Sequence, residues 1–399
     1  MKPISGRSPW PSARSDARIA EALACDLAAD VLVIGAGLVG ALVSDALSSA
    51  GIEAIVVDHH DLAAGSTQAS TALLQYDLDV PLFKLVELIP RDDAVRAYRL
   101  GVEAIDDLEE STRELDVGFE RRRSLYVASS SDAKAELQRE FNARREAGLN
   151  ARLADAADLR SGWGMEAEAA IVSETAAQVD PVRLTDALLA RSKRRGIRVF
   201  DHVEIVAMEN SDSLIARTRS GAKIRCRFVV HAEGYEAAKL LPGGSVESYA
   251  TFALLSKSFM PPTPIWGDRC LLWEYATPYL YARWSGDRVM VGGEDVKQEM
   301  KRDCRPLLAK KCGELKAKLE RWFPGIRLEV ETSWCGPFLT TRDGVGFVGP
   351  IDEGSNVLLA LCYGGNGMTH AVVAGRLIAD YVHGRKNKDA EIFRVRRFS

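Results

Sequence analysis

The sequence predicts an α/β protein of two domains, and three observations carry that expectation. From Asp30 to Asp58, DVLVIGAGLVGALVSDALSSAGIEAIVVD has the order strand, glycine turn, helix, strand, acid. Near the other end an apolar strand, Val357 to Leu361, runs into Gly364-Gly365-Asn366-Gly367 and then a helix from about Met368 to Val382. At 399 residues, the chain also exceeds what one hydrophobic core usually serves.

Residues 1–29 read as an irregular, Pro-containing arm with a short helix from about Asp16, and they lack the apolar core of a signal peptide. Val31-Leu32-Val33-Ile34 is a continuous apolar run, as a parallel strand buried on both faces requires. Gly35, Gly37 and Gly40 follow as G-x-G-x-x-G. The first permits a tight turn, the second a close backbone approach to a pyrophosphate, and the third close packing of helix on strand. The helix, Leu38 to Ser49, aims its first amides at the phosphates and stops at Gly51. A second strand, Ala54 to Val57, ends at Asp58, 18 residues after Gly40, where a carboxylate accepts hydrogen bonds from an adenosine ribose. This is a Rossmann-like dinucleotide cradle. Asp58 argues against a 2′-phosphate, but the motif does not separate NAD from FAD.

The rest of the chain separates them. Ala63 to Asp79, AAGSTQASTALLQYDLD, replaces the helix and strand of a plain NAD domain with a small-residue, hydroxyl-rich loop suited to an extended cofactor. A helix from Pro181, with Asp180 as N-cap, precedes a strand pair. FVVHAEGYEA is an apolar strand ending in a second close-approach turn, Ala232-Glu233-Gly234. WEYATPYLYARWSGDRVMVGGEDV reads as two strands joined at Ser285-Gly286-Asp287, with Tyr279, Tyr281 and Arg283 on one face. The amino terminus of the last helix is another anion- or carbonyl-binding end.

Composition narrows the class. With 52 Lys+Arg against 56 Asp+Glu, the net charge of -4 favours neither nucleic acid nor an anionic membrane. Arg121-Arg122-Arg123 and the run from Arg191 to Arg195 read as solvated faces. No apolar run reaches the length of a membrane span. Seven scattered cysteines without a C-x-x-C predict no disulfides and a reducing, cytoplasmic setting. No metal site is expected.

With these motifs in place, the sequence resembles the FAD-dependent oxidoreductases of the D-amino-acid oxidase superfamily, of the glycine oxidase and sarcosine oxidase type. The marks are G-x-G-x-x-G, Gly65-Ser66-Thr67, Val179-Asp180-Pro181, Ala232-x-Gly234, Thr341-x-Asp343-Gly344 and the last glycine cluster. They span about Asp30 to Val382. The resemblance implies an FAD-binding domain (30–80, 150–240 and 334–385) interleaved with a smaller α+β substrate domain (81–149 and 241–333) on a mixed, largely antiparallel sheet, and a tail at 386–399. It implies FAD as cofactor. Asp58 would hold the ribose. Ser66, Thr67, Thr71, Ala72 and Leu73 would line the flavin or pyrophosphate, and Val203 would meet the adenine through its backbone. Ala232 and Gly234 would approach the diphosphate. Gly365, Asn366, Gly367 and Met368 would approach the isoalloxazine.

The departures from the family bear on substrate. Glycine oxidase-type proteins hold a substrate carboxylate with arginines at positions that here are Phe338 and Gly365. Sarcosine oxidase-type proteins use arginines in the flavin loop and a lysine after the glycine cluster. Here that loop has no basic residue, and Thr369 takes the lysine's place. Those proteins attach the flavin to a cysteine in this segment; the register puts that cysteine at Gly336, so Cys335 reads as a packed thiol and the FAD as noncovalent. The remaining catalytic candidates are Arg283 and Tyr281 for binding substrate, Tyr76 with Asp77 beyond the flavin loop, and His370 for acid/base work or flavin contact. Each has a structural alternative: strand surface or pairing with Glu294 or Asp295 for Arg283, a turn cap for Asp77, a helix surface for His370. No register places Lys257 near the flavin.

The reading is an FAD-dependent oxidoreductase that takes hydride from a small secondary or modified amine, C–N oxidation to an imine that hydrolyses. The electron acceptor is oxygen or an unidentified carrier. A dehydrogenase of a hydroxy acid or polyol, and a non-catalytic FAD-binding protein, remain alternatives.

Overall fold

Five strands, Leu27–Ile34, Ala54–Val57, Arg198–Phe200, Lys223–His231 and Val357–Leu361, lie parallel in one sheet. Alternation along each strand feeds two cores. Val31, Val33 and Val56 face the helices Leu38–Ser49, Arg91–Thr112, Pro181–Arg194 and Gly367–Val382. Leu32, Ile34, Ile55 and Val57 face the meander Ile205–Asn210 and Leu214–Thr218, which completes an eight-stranded sheet with Phe347–Pro350. Gly40 lets the first helix lie on its strand, since a Cβ there would sit 1.8 Å from the Gly35 carbonyl oxygen. The computed structural model describes residues 4–10, 19–210, 213–261 and 265–398.

The second sheet has ten strands among the described residues. Its middle is Val330–Thr341, Val246–Ser256, Arg288–Lys297, Leu280–Ser285, Leu271–Glu274, Glu120–Ala128 and Ala169–Gln178 in that order. All its pairings are antiparallel except that of Leu271–Glu274 with Glu120–Ala128. Helix Arg305–Trp322 packs on one face through Leu315, Leu319 and Trp322. The other face looks toward the parallel sheet. Among the described residues no helix is long and apolar enough to cross a membrane.

Strand pairing redraws the expected boundaries. Leu73–Gln75, Ala151–Asp155, Ala169–Gln178 and all of Val330–Thr341 pair in the ten-stranded sheet, although most of these residues were expected with the nucleotide-binding part. Helix Arg91–Thr112, expected in the substrate domain, shares a core with the nucleotide-binding helices. The start of the expected helix at Asp16 falls outside the described residues; residues 19–26 form no helix, and Glu21 bridges Phe200. Ser5–Gly6 pairs with Trp334 and Cys335, so the first described residues are part of a sheet. The tail is held too: Val348 N–H donates to Phe393 O and Arg397 pairs with Asp343.

The expected absence of disulfides is corrected: Cys304 and Cys335 are bonded. Along Val330–Thr341, Trp334 points toward the flavin-loop side, where its Nε1 donates to Ala69 O, and Cys335 points the other way into the core beneath helix Arg305–Trp322. Linear spacing of 31 residues gave no hint of that meeting.

Candidate functional site

A cavity of about 720 Å³ runs between the two sheets. At one end it is walled by Gly35, Gly37, Asp58 and Val203, in the middle by Ser66, Thr67, Ala232 and Gly234, and at the other end by Thr71, Ala72, Leu73 and Gly365 to Met368. The expected cofactor residues therefore share one cavity, except Gly40, which lies behind the wall as a packing residue.

The donors suit FAD. Helix Leu38–Ser49 begins at Gly37, which has no side chain to cap it; Thr67 Oγ1 accepts from Leu38 N–H at 3.0 Å to fix the neighbouring loop, and the helix end at Gly37 to Val39 lines the cavity, where it suits an anion. Asp58 Oδ2 accepts from Ala36 N–H at 2.7 Å and Oδ1 from His60 N–H at 2.9 Å, which ties the acid to the turn. Burial raises its carboxyl above the ordinary value, while those two amides and His59 pull it down. His59, His60 and Glu236 cluster at this end, with His59 Nδ1 3.6 Å from Asp58. At the far end Asn366 precedes helix Gly367–Val382 without capping it. Its Nδ2 donates to Gln75 O and Asp77 O at 3.0 and 2.8 Å, leaving the first amides of that helix at the cavity. Such an end stabilises negative charge on whatever lies against it.

The catalytic candidates separate. Tyr281 lines the cavity beside Tyr279, ring centroids 5.9 Å apart. It crosses the sheet over Gly292, where a Cβ would stand 2.4 Å from its hydroxyl. Burial pushes the Tyr281 hydroxyl up to about 12, so it stays a donor at neutral pH. Arg283 shares its strand face but not the cavity wall. It is buried, and its Nε donates to Thr71 O at 2.5 Å and its Nη2 to Val179 O at 3.4 Å. It pairs with neither Glu294 nor Asp295; Glu294 is held by Lys311 and Lys318. The role expected for Arg283 as a substrate-binding group is thus corrected: its donors are spent on carbonyl oxygens, and it braces the loop at Thr71. Tyr76 is buried against Tyr98 and Arg144 and does not line the cavity. Asp77 does, but Arg144 neutralises it. His370 is buried beside Phe393, and burial pulls it down to about 4 despite Asp343 nearby, so it is neutral at physiological pH and away from the wall. Lys257 pairs with Glu329 at the surface.

Sequence reasoning missed Asp79, Tyr235, Thr251 and Trp273, all on the wall, and Asp295 behind Thr251 and Tyr279. The signal for one part was present: Gly292-Gly293 inside a strand marks a place where a ring or a backbone passes close. Phe338 and Gly365 line the cavity where the resemblance puts carboxylate-binding arginines, and no arginine lines it among the described residues. The Cys335 sulfur faces away from the cavity, in the disulfide.

The family model for FAD dependent oxidoreductases named DAO matches residues 30–381. The glycine oxidase of Geobacillus kaustophilus is 22% identical over 368 residues, covering 88% of this chain and 92% of that protein. Its crystal structure superimposes with a TM-score of 0.78 over 94% of this chain and 100% of that one, at 20% identity. The gamma-glutamylputrescine oxidoreductase of Escherichia coli is 22% identical over 390 residues, covering 94% and 86%. The putative Rieske 2Fe-2S iron-sulfur protein YhfW of Bacillus subtilis is 22% identical over 393 residues, covering 94% and 73%.

Proposed function

The chain belongs to the DAO family of FAD-dependent oxidoreductases, and from that premise we propose that it oxidises a C–N bond in a small secondary or modified amine. Bound FAD supplies the two-electron acceptor for hydride from the carbon next to nitrogen. The nitrogen lone pair then forms the C=N bond, and water hydrolyses the resulting imine to a carbonyl compound and an amine.

The observation that carries this reading is the wall itself. Tyr235, Tyr279, Tyr281 and Trp273 enclose space beside the helix end at Gly367. Aromatic walls exclude water and hold an amine in place, and positioning is the main contribution such a site makes. The Tyr281 hydroxyl remains protonated, and its oxygen would accept from the substrate N–H, which leaves the nitrogen lone pair free to form the C=N bond. Asp58, Thr67 and the helix end at Gly37 would hold the nucleotide half of the cofactor, and the amides at Gly367 and Met368 its flavin half. The relatives' names agree with amine chemistry: one is a glycine oxidase and one a gamma-glutamylputrescine oxidoreductase.

The test is anaerobic bleaching of the flavin absorbance by a panel of secondary amines and a panel of hydroxy acids. Bleaching by amines is expected. Bleaching by hydroxy acids alone would overturn the reading.

A further inference from the structure

Buried carboxylates in this protein generally have basic partners. Asp77 and Glu140 share Arg144, Asp343 holds Arg397, and Glu294 holds Lys311 and Lys318. Two acids at the substrate end, Asp79 exposed to the cavity and Asp295 half-buried, have no basic partner among the described residues. Asp79 lies on the cavity wall, where its Oδ2 accepts from Gly365 N–H at 2.9 Å. Asp295 stands behind Thr251 and Tyr279, which hydrogen-bond it from the cavity side, while its buried Oδ1 has no partner. Neither has an ion-pair partner among the described residues. The Asp79 charge makes the surroundings of Asp295 more negative. Two carboxylates at one cavity end make it electronegative and draw a cation there.

The position of Asp79 is specific. A Cβ on Gly365 would lie 2.6 Å from Asp79 Oδ1, and one on Gly364 2.5 Å from Oδ2. The resemblance puts an arginine side chain at Gly365. Here the missing side chain makes room for a carboxylate, so the sign of the charge at that point is inverted. Phe338 leaves the second clamp position uncharged. The rings of Tyr279 and Tyr281 add faces that attract a cation.

We propose that Asp79 binds a cationic group of the substrate directly, with Asp295 acting through the Tyr279 and Thr251 hydroxyls behind it, so that the amine oxidised here carries a positively charged group separate from its neutral reacting nitrogen, and no free carboxylate. This rests on the C–N reading above and names its substrate class. Asp79 touches the substrate; Asp295 is a positioning residue.

The test uses the FAD-loaded enzyme and tetramethylammonium, a cation with no nitrogen lone pair for imine formation, with acetate as the opposite probe. Binding is read by calorimetry and by the shift of the flavin absorption bands. Tetramethylammonium is expected to bind and acetate not. Asp79→Asn should keep FAD and weaken tetramethylammonium roughly 10-fold or more. Asp295→Asn should weaken it less and flatten the pH dependence of its binding, which a purely structural role would not do. If one variant fails to fold, the other carries the test. Tight acetate binding, or tetramethylammonium binding unchanged in both variants, would overturn the proposal. The two readings fail separately: carboxylate-bearing amines that bleach the flavin while tetramethylammonium does not bind leave the C–N reading standing. Tetramethylammonium binding in an enzyme that only hydroxy acids reduce does the reverse.

Discussion

At the scale of single residues, environment assigns roles that residue type does not. Arg283 and His370 have the chemistry of catalytic groups, yet one is committed to carbonyl oxygens and the other is neutral and enclosed. Asp58 keeps its expected place because its own turn fixes it: two local amides orient the carboxylate. Asp58→Ala should weaken FAD by roughly 10- to 100-fold, the usual loss for a hydrogen-bonded charge, as read by titrating apoprotein with FAD. Asp295 gives a pH signature. Burial, Asp79 and Glu294 push its carboxyl up to about 6 against the opposing bonds from Thr251 and Tyr279. The tyrosines 235, 249, 279 and 281 around it stay neutral over the range concerned. Because its value is raised, the carboxylate form is absent at low pH and gained as pH rises. Cation binding should therefore strengthen as pH goes up through about 6 and fade below it, which calorimetry between pH 5 and 8 will show.

At the scale of elements, caps and close contacts explain why short segments hold their places. Asp180 accepts from Val182 and Arg183 N–H at 3.0 Å each and starts helix Pro181–Arg194, whose Pro181 suits a first-turn position. Asp180→Ala should cost about 1 kcal/mol, measured as a lower denaturant midpoint with FAD still bound. Gly40 has a steeper dependence. With a Cβ 1.8 Å from the Gly35 oxygen, Gly40→Ala must push the helix off its strand. A loss of about 1–3 kcal/mol of stability together with loss of FAD is expected, from thermal melts with and without added cofactor. The strand at Tyr281 shows the converse, a bulky ring accommodated because its neighbour Gly292 has no side chain.

At the scale of the molecule, the two sheets are built from alternating stretches of one chain, and the cavity is where they face each other. The Cys304–Cys335 bond closes a loop of 31 residues between helix Arg305–Trp322 and strand Val330–Thr341. Loop-closure entropy puts its contribution at about 3–4 kcal/mol. Melting in the presence of a thiol reductant should therefore occur at a lower temperature than without it, and alkylation of the unfolded, unreduced chain should leave two of the seven cysteines unmodified. Equal melting in both conditions would count against a formed bond.

The sequence by itself determined the nucleotide cradle and the last helix. A buried parallel strand needs a continuous apolar run, a close turn needs glycine, and both signals are local, so Val31 to Asp58 and Val357 to Val382 were legible residue by residue. Residues 73–75, 151–155 and 169–178 were not, because a short strand pairs equally well in either sheet until distant chain arrives. Only the tertiary structure decided which charges meet the cavity. Arg283, Tyr281 and Tyr279 alternate onto one face, yet the cover at Thr71 and Val179 removes Arg283 and leaves the tyrosines. Asp79 and Gly365 are 286 residues apart and touch. Whether a carboxylate is neutralised or left to attract a cation depends on what lies within a few ångströms in space, and linear order does not carry that distance.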